Sequence, residues 1–250
     1  MAKTNNQELQ LTKMEFWFLL TQFSPCSILG FPNPTQGLLT KDIDKIYNDC
    51  LQQLSQRDLI RILSENELAI ETSAASLFEE LVHPKQTLLV TIKNKDECEV
   101  HYFDFCHHSI IHRYEESSGN YKLIVCNNQK EIVNLIIGSK RKALKKEVIR
   151  TVKIPKEEYE RLAKAIENKD AAYGSSSLDQ ELNFDLWNPD ENIALTLVQR
   201  ADQNQGVREK GFGVLFANNK AWVLEMVKDS VLLSRVSTEE LINILLQISK

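Results

Sequence analysis

The chain has 250 residues, of which 42% are hydrophobic and 26% charged, with a formal net charge of −5. That balance belongs to a soluble globular chain and weighs against a whole-protein positive field that would recruit nucleic acid. The five cysteines are odd in number and follow no disulfide spacing, so they read as reduced thiols of a cytoplasmic protein.

The opening MAKTNNQELQLTK is polar and has no signal-peptide core, and the first ten residues read as loose. A first helix is expected from Thr12 to about Phe23, with Phe16, Trp17, Leu19, Leu20 and Phe23 on a thick apolar face. Its run Phe16–Leu20 is far too short to cross a bilayer. Ser24-Pro25 and the segment Gly30 to Pro34 stop it. A second helix follows over Lys41–Gln56 and a short strand over Glu67–Ile70. A third helix runs from Ser73 to Val82, ended by His83-Pro84, and Thr87–Lys93 begins a sheet. Cys98–Phe105 and Ser109–Tyr114 continue it as an antiparallel meander. Beyond a basic connector, Ile149–Ile154 alternates weakly and Pro155 opens a polar helix to about Asn168. Tyr173–Ser177 is linker-like, and Leu178–Trp187 is a short helix. Ile193–Arg200 is a strand, Ala201–Lys210 a polar loop, and Gly213–Phe216 and Ala221–Val227 form a hairpin over paired asparagines.

Two segments resemble each other without a gap: Tyr121–Ile137 and Ser230–Leu246, 109 positions apart. Each reads as a strand, a capped turn and an apolar helix. Asn128 with Glu131, and Ser237 with Glu240, have capping-box spacing, of which Ser237 is the better case. The helices match as Ile132, Val133, Leu135, Ile136 and Ile137 against Leu241, Ile242, Ile244, Leu245 and Leu246. A meander precedes each helix. The expected fold class is therefore α+β: antiparallel sheets with packed helices, in two pseudo-symmetric meander-plus-helix halves. The first half covers residues 1–150 and the second 151–250, together forming one compact structural unit.

Chemistry-bearing constellations are few. His101, His107, His108 and His112 fall close together with Cys98 and Cys106, but without CxxC or a helical HxxxH, so a hairpin with a polar turn is the simpler reading than zinc. Cys106 and His107 on a strand would point to opposite faces, which argues against a nucleophile pair. Lys140 to Arg150 holds six cations without interleaved aromatics and reads as a solvated connector. A recognition helix over Ser73–Val82 is disfavoured by Glu79 and Glu80. No glycine-rich phosphate loop is present, and Gly211-Phe212-Gly213 reads as a bulge.

Three features carry a resemblance to a known family: the opening helix with its Pro25–Pro34 turn; Leu54–Ile60 ahead of Leu77–Pro84 and the strand Leu88–Ile92; and the two meander-plus-helix halves, the second entered by Arg208–Gly213. Together they resemble the EspG-type chaperones of ESX (type VII) secretion. In that family the position of Asp58 is more often glycine. The resemblance implies a pseudo-two-fold α+β fold, a cytoplasmic location, and binding of secreted helical substrates without catalysis.

The combined expectation is a non-enzymatic protein-binding module, EspG-like, with no cofactor and no metal, that contacts another protein and neither nucleic acid nor membrane. Its partner surface is expected in sheet-edge loops, chiefly Ala201–Lys210 and the turn near Asp104–Ser109, with Arg208, Phe212, Phe105 and Asp104 as protein-binding residues. The rival readings are an immunity protein neutralising a toxin and a metal-dependent enzyme built on the His101–His112 cluster.

Overall fold

The computed structural model describes residues 8–23, 28–64, 67–94, 97–138, 150–168, 180–200 and 207–248. Cys26, nearly all of the basic run 140–150, the segment Tyr173–Ser177 and the first part of the 201–210 loop lie outside the described residues. In chain order the elements begin β1 (Glu8–Thr12), α1 (Lys13–Phe23), α2 (Thr40–Gln56), β2 (Ile60–Ser64), β3 (Glu67–Ile70) and α3 (Thr72–Leu81). Then come β4 (Gln86–Lys93), β5 (Cys98–Phe105), β6 (Ile110–Glu115), β7 (Asn120–Cys126) and α4 (Lys130–Ile137). The remainder is β8 (Arg150–Pro155), α5 (Lys156–Glu167), α6 (Gln180–Trp187), β9 (Glu191–Arg200), β10 (Val207–Ala217), β11 (Lys220–Val227), β12 (Ser230–Val236) and α7 (Thr238–Ile248). The fold is α+β, and each strand pairing with a described register is antiparallel.

The chain divides into two compact units, Met1–Thr87 with His101–Asn128, and Leu88–Val100 with Gln129–Lys250. In the first, β1, β7, β6 and β5 lie side by side. Glu8–Thr12 was expected to be mostly loose; it is a strand instead, because its alternation sets Leu11 inward while its backbone pairs with Asn120–Ile124. Helix α1 starts on a reciprocal cap: the Thr12 N–H donates to Glu15 Oε2 at 2.7 Å and the Glu15 N–H donates to Thr12 Oγ1 at 3.2 Å. Glu15 is buried, and Arg57 Nη1 compensates its charge at 3.1 Å. Phe16 stacks on Tyr121 with 5.1 Å between ring centroids and meets Phe31 edge-on at 4.6 Å. Full burial of such a ring contributes about 2–3 kcal/mol. Asp58, at the position where the resembled family more often has glycine, adopts φ 57, a left-handed conformation that Asp tolerates better than most residues. Sequence periodicity missed β2, a five-residue strand with a single buried side chain, Ile60.

In the second unit β9, β10, β11, β12 and β8 follow one another. One sheet face packs Leu215, Ala217, Trp222, Val231, Leu233 and Ile154 against Leu162 of α5 and Leu182 and Leu186 of α6. Asn218 and Asn219 turn the β10–β11 hairpin with φ 50 and 61, as a two-residue type I′ turn requires. Beneath that turn Asp185 is fully buried and accepts from Asn218 Nδ2 at 2.8 Å, Lys220 Nζ at 3.1 Å and Trp222 Nε1 at 3.1 Å. Gly211 and Gly213 were expected to mark a bulge. They lie in an unbroken register with β9, and at Gly213 an added Cβ would come 3.2 Å from Leu224 Cβ, closer than an ordinary contact.

The two resembling segments are β7–α4 and β12–α7, and both helices belong to the second unit, where they pack on each other. The gapless spacing of 109 holds for the helices only. Ile132 and Ile136 are buried, as are Leu241 and Leu245. The strands instead share one burial pattern, with Tyr121, Leu123 and Cys126 inward in β7 and Val231, Leu233 and Val236 inward in β12. That is a spacing of 110, so the connection after β7 is one residue longer. A one-residue slip exchanges the two faces of a strand, so burial fixes this register against the gapless match.

Candidate functional site

The strands β10, β11 and β12 and helix α7 enclose an open groove of about 230 Å3 lined by Lys210, Phe212, Val223, Glu225, Leu232, Ser234, Ile244 and Gln247. Alternation places Phe212, Val223, Glu225 and Leu232 on the sheet face opposite to the Trp222 core, because cross-strand partners share a face and successive residues do not. Phe212 is half-buried and pairs in register with Glu225. Lys210 Nζ sits over that ring, 4.7 Å from its centroid, a cation–π contact at the groove. A second shallow depression of about 310 Å3, lined by Ser234, Val236, Glu240, Asn243, Ile244 and Gln247, continues along α7. An aromatic anchor beside aliphatic walls, with a cation and a carboxylate at the rim, is chemistry for a protein surface.

Arg208 lies in the same strand, in register with Gln199, two residues before Lys210. The expected loop Ala201–Lys210 therefore ends earlier: residues 207–210 belong to β10, drawn into the sheet by pairing with Leu197–Arg200.

Asp104 and Phe105, the other two expected contact residues, face inward, at 1% and 8% exposure. Asp104 accepts from Arg113 Nε at 2.5 Å and from Thr87 Oγ1 at 2.7 Å. Arg113 is itself fully buried, donates from Nη2 to the Leu29 carbonyl at 2.5 Å and lies 4.2 Å over the Tyr102 ring. These groups brace the sheet and clamp the Ile28–Phe31 loop. Gly30, at φ +73, allows the loop to approach, since a Cβ there would fall 2.0 Å from Tyr102 Cζ.

The histidines separate into two pairs. His107 and His108 lie in the exposed turn after β5, whereas His101 and His112 are buried neighbours, Nδ1 to Nε2 at 3.0 Å. His112 stacks between Phe103 and Tyr114, with centroids 4.4 and 5.0 Å away. Burial, followed by His101 and Lys122, pushes its pKa down to about 3, so it is neutral at physiological pH. His108 stays in that exposed turn while His112, four residues later, is buried in β6. Among the described residues no cluster of three or more His, Cys, Asp or Glu side chains is arranged to hold a metal. The Cys106 thiol is pushed up to about 12 by burial and by Asp104 and Glu80, the opposite of what a nucleophile needs. No described helix is long and apolar enough to cross a membrane.

Of the groove's lining the sequence reading named Phe212 and none of the other walls. Glu225, Leu232 and Ile244 join Phe212 only through the pairing of three strands and the docking of α7. The available signal was Phe212 between two glycines opposite an acidic strand residue.

No protein-family model matches the chain, and no curated protein does. Among solved structures it is similar to the Mycobacterium tuberculosis type VII secretion system chaperone EspG5, in complex with the PE25–PPE41 dimer. The identity is 10% and the TM-score 0.65, covering 97% of this chain and 95% of that one. Over nearly its whole length the chain has the α+β fold of that chaperone.

Proposed function

We propose that this chain is a non-enzymatic cytoplasmic chaperone or adaptor that holds a helical protein partner on the Phe212 groove. The observation that carries the reading is the near-complete fold likeness to a chaperone whose structure contains a bound protein dimer. The groove supports it physically. Phe212 offers an aromatic anchor, Val223, Leu232 and Ile244 offer aliphatic contact, and Lys210 and Glu225 offer rim charges that set register and orientation. Arg208 lies two residues before Lys210 on the same strand. Asp104 and Phe105, being internal, support the sheet and are not part of this contact surface.

The test is co-expression with small helical proteins encoded beside its gene, followed by size exclusion with light scattering. A stable complex is expected, lost on Phe212→Asp and weakened at least about tenfold by Arg208→Ala, as for a hot-spot residue. A complex indifferent to both substitutions would remove the groove from the account. Absence of any complex with those candidates would remove the chaperone reading.

A further inference from the structure

The first unit carries a second groove, larger than the one around Phe212 and not part of it. It has a volume of about 570 Å3 and opens between the C-terminal end of α1, the middle of α2 and the β2–β3 ribbon. Its apolar walls are Phe23, Tyr47, Leu51, Ile62, Leu68 and Ile70. The ribbon is rooted by Ile60, 1% exposed, and by the Glu71 N–H donating to the Leu59 carbonyl at 2.9 Å. Further out, Ile62 and Leu63 are 56% and 59% exposed. A solvated two-stranded ribbon gains nothing from such side chains, and two strands alone are marginal in water.

Two observations decide the kind of partner. The β2–β3 register shifts between Ile62 and Ser64, and such an irregularity breaks the ladder and resists addition of a further strand. The space lies between the ribbon and a helix pair, where a helix can lay its apolar ridge. The lining carries a single charge, and it is negative. Glu67 is the charged residue of the lining, and among the described residues it makes no ion pair. Asp44 stands exposed one turn before Tyr47 on the same side of α2. Arg61 occupies the alternate position of β2 and so the ribbon's other face. A second copy of this chain docked through the same face would bring the two Glu67–Asp44 patches together, like charge against like, on a protein of net charge −5.

We infer that this groove docks an amphipathic helix of another protein whose apolar stripe is flanked by Lys or Arg. Ile62, Leu51 and Tyr47 take the stripe, and Glu67 with Asp44 selects the basic flank.

The probes are two designed peptides of about 18 residues, long enough to be helical, each with leucines at i, i+3, i+4 and i+7. One is flanked by Lys and the other by Glu, and both are titrated by fluorescence anisotropy. The intact protein is expected to bind the Lys peptide at least about tenfold more tightly, a typical worth for one hydrogen-bonded charge contact. Glu67→Lys should invert that preference. Ile62→Asp should abolish binding of the Lys peptide even though it adds negative charge, which separates docking from mere attraction. Both positions are exposed, and thermal melts of the two variants check that they fold. Phe212→Asp should leave peptide binding unchanged, which separates this result from the fate of the proposed chaperone groove. Equal binding of the two peptides, no saturable binding of the Lys peptide, or binding that survives Ile62→Asp would overturn the inference. So would a concentration-dependent dimer dissolved by Ile62→Asp, which would assign the groove to a second copy.

Discussion

The strands β7 and β12 bury the same positions, the helices α4 and α7 share two buried positions, and the segments are built differently at the turn between strand and helix. In the second, Ser237 and Glu240 form a reciprocal cap: the Ser237 N–H donates to Glu240 Oε2 at 3.0 Å and the Glu240 N–H donates to Ser237 Oγ at 3.3 Å. In the first, the additional residue shifts the N-cap position from Asn128 to Gln129, which has helical dihedrals and no side-chain cap bond. Burial pattern is thus the shared property, and local capping is free to vary around it. The same contrast runs through the two units. Each keeps a buried carboxylate, but Asp104 is answered by an arginine on the neighbouring strand and Asp185 by the donors of a hairpin.

The largest effects are expected at these buried carboxylates. Asp104→Ala should cost about 3–5 kcal/mol, because it strands the fully buried Arg113 guanidinium, and Asp185→Ala about 1–3 kcal/mol, because it strands the Trp222 indole N–H while Lys220 keeps Glu181 at 2.7 Å. Urea titration reads both, and near-neutral values would show that these networks are not structural. Leu123→Ala and Leu233→Ala occupy matched positions, each fully buried, and should each cost about 2–5 kcal/mol. If only one did, the strand spacing of 110 would not describe equivalent sites.

The third test concerns pH and the first unit alone. The folded-state pKa of His112, about 3, lies below its ordinary value near 6.5. The neutral ring is therefore favoured by folding. The stabilisation is full above about pH 6.5 and is lost progressively as pH falls towards 3, by on the order of a few kcal/mol. His112→Phe should flatten the stability slope in that window; an unchanged slope would contradict the assignment. The smallest effects lie at the caps. Ser237→Ala should cost about 1 kcal/mol. Gln129→Ser should change stability by less than about 0.5 kcal/mol, because its helical backbone does not present the extended geometry a capping hydroxyl uses.

The fold class and nearly every helix were legible from periodicity, since α1, α2, α3 and α7 carry their apolar faces in the chain itself. Strands β1 and β2 were less so. Glu8–Thr12 alternates over only five residues, and its strand state depends on β7, more than a hundred residues away. Asp104 looked like an exposed turn acid because its neighbours are His107 and His108. Its true environment comes from Arg113, diagonally across the hairpin from it, since Asp104 pairs with Ile111. The site was half legible for the same reason. Phe212 announces itself between glycines, but Glu225, Leu232 and Ile244 reach it only through sheet order and helix docking, which no local pattern records.

Hydrogen exchange on the co-expressed complex tests the central claim most directly. The account predicts that partner binding slows exchange in β10–β12 and α7, around Phe212, Leu232 and Ile244, and that Phe212→Asp abolishes the slowing. Protection confined to other strands, with β10–β12 and α7 exchanging as in the free protein, would contradict it.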